Sequence, residues 1–198
     1  MRLSRGPMAV VAGLCAVVGL AACTPEATEP TPTVSPAGTT TPSASPTPTT
    51  PPEGIAPERP AELAEVSVAG AEAAARYFLQ LYPYVYATGD LTEWRALSHP
   101  ECTFCASVVS NVEAQVAAGN VNRGSLIDVL EIAAAEITPG RFGVNAVITE
   151  APSRELDPDG NVVSEQPSPI TYDAVFALQH LQAGWVVLEL DVAEVEES

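Results

Sequence analysis

The sequence predicts an α+β domain in which N-terminal helices pack on a curved antiparallel sheet. Three observations predict it. Apolar residues recur at helical spacing between Ser67 and Thr88, they alternate at period two from Phe142 to Thr149, and turn signals at Asp157-Pro158-Asp159-Gly160 and Ala183-Gly184 divide the later runs into hairpins. Helices first and strands afterwards is the order of a layered α+β fold, not of alternating βαβ units.

Residues 1–22 read as a secretory signal: Arg2 and Arg5 precede the apolar run from Met8 to Cys23, which is too short to span a bilayer and ends in small residues. The ending Leu20-Ala21-Ala22-Cys23 resembles the bacterial lipobox, which implies that Cys23 receives a diacylglyceryl group and becomes the new N-terminus. The lipid matters because two acyl chains give a stable anchor where one holds only marginally. An ordinary signal without lipid and a short N-terminal membrane helix are the other readings of this stretch. Cys15 is discarded with the signal, so Cys102 and Cys105 are the only cysteines of the mature domain.

Composition bounds the function. The formal charge of −17 becomes −19 once Arg2 and Arg5 are lost, and the chain has no lysine. Such a charge repels phosphate backbones and anionic headgroups, so nucleic acid is excluded as a partner and membrane contact is expected only through the lipid on Cys23. From Cys23 to Pro60 the chain is a tether of Thr, Pro, Ser, Ala and Glu carrying 11 of the 19 prolines, too poor in apolar residues to offset the entropy of ordering. At about 3.1 Å per residue its extended reach is roughly 115 Å. A Pro-rich recognition motif and an O-glycosylated stalk are the sharper alternatives to a plain spacer.

The folded domain, residues 61–198, is expected to start with a helix from Ser67 to Thr88. Ser67 caps it, Ala71, Ala75, Phe78, Tyr82 and Val85 form its buried stripe, and Gly89 closes it. Pro83 removes a backbone donor inside the pattern and predicts a kink. Asp90 with Glu93 reads as a capping box for a short helix through Leu97 carrying Trp94. A third helix is expected from Glu101 to Ala118, with Val108, Val109, Val112 and Val116 inward and Gly119-Asn120 ending it. Beyond Gly124 the spacing becomes that of strands. Leu126 to Ile137 is read as a strand because β-branched residues dominate its first half, although its alanines would suit a helix. Two further arms, Ile170 to Leu181 and Trp185 to Val195, follow as a hairpin.

Three helices, a long hairpin and the final Gly184-Trp185-Val186-Val187-Leu188 run resemble the cone-shaped fold of nuclear transport factor 2, ketosteroid isomerase and scytalone dehydratase. More narrowly, Ala74-Ala75-Arg76-Tyr77-Phe78, Tyr86-Ala87-Thr88-Gly89-Asp90 and the segment from Ser98 to Cys105 resemble an uncharacterised family of lipoproteins from high-GC Gram-positive bacteria, over roughly Ser67 to Val195. The family implies no activity.

Four readings compete for Cys102-Thr103-Phe104-Cys105. A structural disulfide is expected in an exported protein, and closing so short a loop would stabilise by about 2 kcal/mol and lock the start of the third helix. A redox pair would use the lowered thiolate pKa of a helix N-terminus, but no strand leads into this motif as in a thioredoxin context. Zinc would need His99 and His180 as its remaining ligands, and free thiols are the fourth reading.

Alternation tests for catalysis. In the third arm Tyr172, Ala174, Phe176, Leu178 and His180 share one face, and in the last arm Val186, Leu188, Leu190 and Val192 oppose Trp185, Val187, Glu189 and Asp191. If the apolar rows pack on the helices, Asp173, Glu189 and Asp191 point to solvent and only His180 joins the inner row. Tyr77, Tyr82, Tyr84, Tyr86 and Trp94, with Phe176 and His180 on the third arm, are the candidates for lining a pocket. No nucleophile motif, phosphate loop or ligand cluster is present, so no catalytic residue, metal or cofactor is expected. The expected function is a membrane-anchored extracytoplasmic module that binds an apolar ligand or a protein partner. A ketosteroid-isomerase-like enzyme and a thiol-disulfide protein using Cys102 and Cys105 are the alternatives.

Overall fold

The computed structural model describes residues 54–195. The signal, Cys23 and the tether as far as residue 53 lie outside them. The last residues of the expected tether already touch the domain. Pro57 is buried, and Arg59 Nη1 pairs with Glu93 Oε2 at 2.8 Å. A 3₁₀ turn at Ala61–Ala64 then buries Leu63.

Helix α1 spans Val68–Thr88, with Ser67 Oγ accepting from Gly70 N and Gly89 closing it in the left-handed region at φ 75°. Ala71, Ala75, Phe78 and Val85 are buried, as their spacing requires. The helix runs unbroken through Pro83, which is itself buried, so the proline does not end it. Gly70 is tied to the preceding turn: a Cβ there would lie 2.1 Å from the Glu65 carbonyl oxygen.

Helix α2 spans Thr92–Leu97. The expected capping box does not form. Asp90 Oδ1 accepts from Thr92 N, and hydrogen bonds from the Thr92 side chain and backbone lower the Asp90 pKa, while Glu93 turns instead to Arg59 and Tyr77. Helix α3, Thr103–Ala117, begins two residues later than expected because Cys102 is its cap. Val108 and Val112 are buried and Val109 is half-buried, whereas Val116 is 54% exposed and does not face inward. Gln115 holds that end of α3 instead, donating through Nε2 to the Tyr86 carbonyl at 2.8 Å.

Among the described residues seven strands follow: β1 (Val121–Gly124), β2 (Ile127–Thr138), β3 (Arg141–Glu150), β4 (Ser153–Leu156), β5 (Val162–Gln166), β6 (Ile170–Leu181) and β7 (Gly184–Glu194). They make an antiparallel four-stranded sheet in the order β2-β3-β6-β7 and a smaller sheet in the order β1-β4-β5. Strand β1 is not foreseen from its four residues, which pair with β4 far along the chain. The chain leaves β1 through Gly124 and Ser125, both at positive φ. Helices α1, α2 and α3 cover one face of the large sheet, which is the α+β, nuclear-transport-factor-2-like arrangement.

Bulges bend that sheet. Leu130 and Ile137 are the extra residues of β2 and both are exposed. In β7 the register slips between Ala177↔Glu189 and Leu178↔Val187, leaving Leu188 as the extra residue. This corrects the reading of the last arm. Trp185 and Val187 face inward before the bulge and Leu190 and Val192 after it, so Val186 and Leu188 are not on the inner row. Asp173, Glu189 and Asp191 are exposed even so.

Candidate functional site

The inner row of β3 runs Phe142, Val144, Ala146, Ile148 and then Glu150. At the Phe142 end the interior is filled. The Trp185 ring lies 5.2 Å from Phe142 and 5.2 Å, edge-on, from His180. At the Ile148 end it is hollow. A chamber of about 190 Å³ lies between helix side chains Phe78, Leu79, Trp94 and Phe104 and strand side chains Ile127, Ile148, Leu190 and Val192. Phe78 and Trp94 stack at 4.0 Å to make its wall, and Trp94 Nε1 donates to the Cys105 carbonyl at 3.1 Å, fixing that wall to α3.

Tyr82, Glu150 and Tyr172 line the chamber and also a polar hollow of about 400 Å³ that opens between α1 and the small sheet. The hollow carries Ser125, Ser153, Ser164, Glu155 and Glu165 as well. Burial pushes the Glu150 carboxyl up, against a hydrogen bond from Ser125 that lowers it. Burial likewise raises Tyr82 and Tyr172, and the Glu150 charge adds to both. A carboxylate beside an apolar chamber can pair with a cation, accept a hydrogen bond or move a proton.

Of the residues expected to line a pocket, Trp94 and Tyr82 line the chamber and Tyr82 and Tyr86 line the polar hollow, whereas the others lie elsewhere. Tyr77 is buried against α2 with its hydroxyl donating to Glu93 Oε2 at 3.3 Å, and burial with the Glu93 charge raises it to about 12. Tyr84 bonds Asp90 Oδ2 at 2.9 Å on the surface. Phe176 is core, 6.4 Å from Phe78. His180 sits at the filled end against Trp185. Nor is His180 the only titratable residue of the inner face, because Glu150 belongs to it. Glu150 was within reach of the alternation rule, being the next even step after Ile148.

Cys102 and Cys105 form a disulfide, S–S 2.03 Å, with each residue 1% exposed, and Cys102 Sγ accepts from Cys105 N at 3.2 Å. The bond locks the start of α3. Sulfurs joined to each other cannot ligate zinc with His99 and His180, and their burial slows attack by an outside thiolate on the folded chain. Among the described residues no group of three His, Cys, Asp or Glu gathers to hold a metal, and no helix is long and apolar enough to cross a membrane.

The intermembrane-space region of the chloroplast protein ARC6 is similar in structure, with a TM-score of 0.51 at 12% identity over 65% of this chain and 98% of that one. Two further solved structures are similar at lower scores. One is an uncharacterised Caulobacter vibrioides protein with a cystatin-like fold, with a TM-score of 0.41 at 12% identity over 62% of this chain and 88% of that one. The other is a putative calcium/calmodulin-dependent protein kinase II association domain from Xanthomonas campestris, with a TM-score of 0.44 at 12% identity over 73% of this chain and 99% of that one. At such identities the likeness concerns fold alone. No curated protein matches the chain. A family model does, over residues 44–191, and the chain belongs to that family of unknown function, DUF6318.

Proposed function

We propose that this is an exported, lipid-anchored protein whose domain binds a small, largely apolar molecule in the chamber between helices and sheet. The chamber carries the reading: it is as large as an engineered cavity of about 150 Å³ that takes up benzene, and its walls are aromatic and aliphatic side chains. Export rests on the signal at residues 1–22 and anchoring on Cys23, in keeping with the resemblance to lipoproteins of high-GC Gram-positive bacteria. The buried disulfide suits an oxidising compartment.

The test uses the full chain recovered from membranes and held in nanodiscs, with empty nanodiscs as the blank. Its intact mass should show a diacylglyceryl group on Cys23. Benzene should bind saturably and perturb Trp94 emission, and Leu190→Trp, which fills the chamber, should weaken that binding at least tenfold while the variant still melts cooperatively. Benzene binding that does not saturate, or that survives the filled chamber, overturns the binding reading; an unmodified Cys23 overturns the anchor. Glu150 favours a second reading, an acid–base enzyme of the ketosteroid-isomerase kind, whose mark would be turnover lost in Glu150→Gln with binding retained.

A further inference from the structure

The polar hollow says which end of a ligand belongs there. It meets the apolar chamber at Tyr82, Glu150 and Tyr172, so a molecule filling the chamber presents its other end to these three. Three carboxylates line the hollow, and two are already engaged: Glu155 Oε1 accepts from Asn120 Nδ2 at 2.6 Å, and Glu165 Oε2 lies 3.7 Å from Arg154 Nε. Glu150 stands apart. No basic residue lines either hollow, and among the described residues no Arg or His is seen to pair with Glu150, whose carboxylate accepts from the Ser125 hydroxyl. A half-buried carboxylate without a counter-charge is unfavourable by itself and favourable toward a cation brought to it.

We infer that the ligand is a small amphipathic cation, its apolar body in the chamber and a protonated amine held by Glu150 at the mouth. The inference rests on the apolar-chamber reading above. An ammonium at that point would donate a charge-assisted hydrogen bond to Glu150 and share the hollow with the rings of Tyr82, Tyr86 and Tyr172, of which Tyr82 and Tyr86 lie 4.9 Å apart. An anionic head would meet Glu150 with nothing to neutralise it. Burial raises the Tyr82 and Tyr172 pKa values, with Tyr86 and then the Glu150 charge adding to the first and the Glu150 charge to the second.

Three probes with one body and different heads test this: phenethylammonium, 2-phenylethanol and 3-phenylpropionate, titrated into the full chain in nanodiscs at about 150 mM salt, where the Debye length is about 8 Å and the chain's overall charge is screened. The ammonium should bind at least tenfold tighter than the alcohol, and the carboxylate weakest. Glu150→Gln should bring ammonium and alcohol to within about twofold of each other. Glu189→Gln, which removes a charge from the outer side of the sheet, should leave the tenfold gap. If the alcohol saturates and the ammonium shows no advantage, or keeps it in Glu150→Gln, the inference is overturned and the chamber reading stands. If none of the three saturates, both fall. Should Glu150→Gln fail to melt cooperatively, the order of the three heads on the unaltered chain decides.

Discussion

The two ends of one strand face the same helices and do opposite things. At the start of β3, Phe142 is 1% exposed, with the Trp185 ring 5.2 Å from it. At its end, Ile148 and Glu150 look into open space, although Phe78, Trp94 and Phe104 line the other side. Side-chain volume alone does not explain the difference. The small sheet β1-β4-β5 departs from the large one at Ala151-Pro152, just past Glu150, so the wall that would close this end lies further out and leaves the polar hollow. One end is packed and the other is open.

The sharpest way to break this contrast is to truncate one residue at each end. Phe142→Ala should cost about 3–5 kcal/mol, since it opens a void in a filled interior, whereas Ile148→Ala should cost about 2 kcal/mol because its neighbours already border empty space. Urea denaturation of both variants reads this, and equal costs would erase the distinction. Next in size is the disulfide. Cys102→Ser with Cys105→Ser should lower stability by about 2 kcal/mol, and reductant should lower the parent chain by the same amount without affecting the double variant.

The subtlest effect concerns Glu150. Its pKa is raised by folding, so the folded chain holds that proton more firmly than the unfolded chain, and the stability this contributes is present at acid pH and is lost as pH rises through the folded value. Glu150→Gln removes the dependence. The variant should therefore match the parent near the ordinary Glu pKa of about 4.3 and exceed it at neutral pH, as read from melting curves across that range. A parent that stays equal to the variant at neutral pH would mean that the mouth is as wet as the surface.

Much of the architecture was legible because it depends on spacing. The stripe of α1, the alternation of β3 and β6 and both turn signals are local patterns, and the structure has them where the residues put them. What escaped depends on pairing with distant chain. Strand β1 exists because Val121–Gly124 meets β4, and the inner row of β7 changes parity at Leu188 because β6 lies beside it. Ring spacing along α1 pointed to Tyr77 and Tyr84 as well as to Tyr82 and Tyr86, and it does not tell a filled interior from a hollow one; Phe176 and His180 on β6 proved to be core and packed on Trp185. Glu150 is the contrary case: it lies two past Ile148 on the alternation of β3, outside β6 and β7.

Leu188 carries a consequence of its own. Remove it, and Trp185, Val187, Leu190 and Val192 still alternate inward, since the flanking residues close into an ordinary two-residue rhythm. Relatives one residue shorter at this point would keep the same interior lining on a straighter strand. The length of the final hairpin is thus a dial on the breadth of the hollow that leaves the chemistry of its walls unchanged.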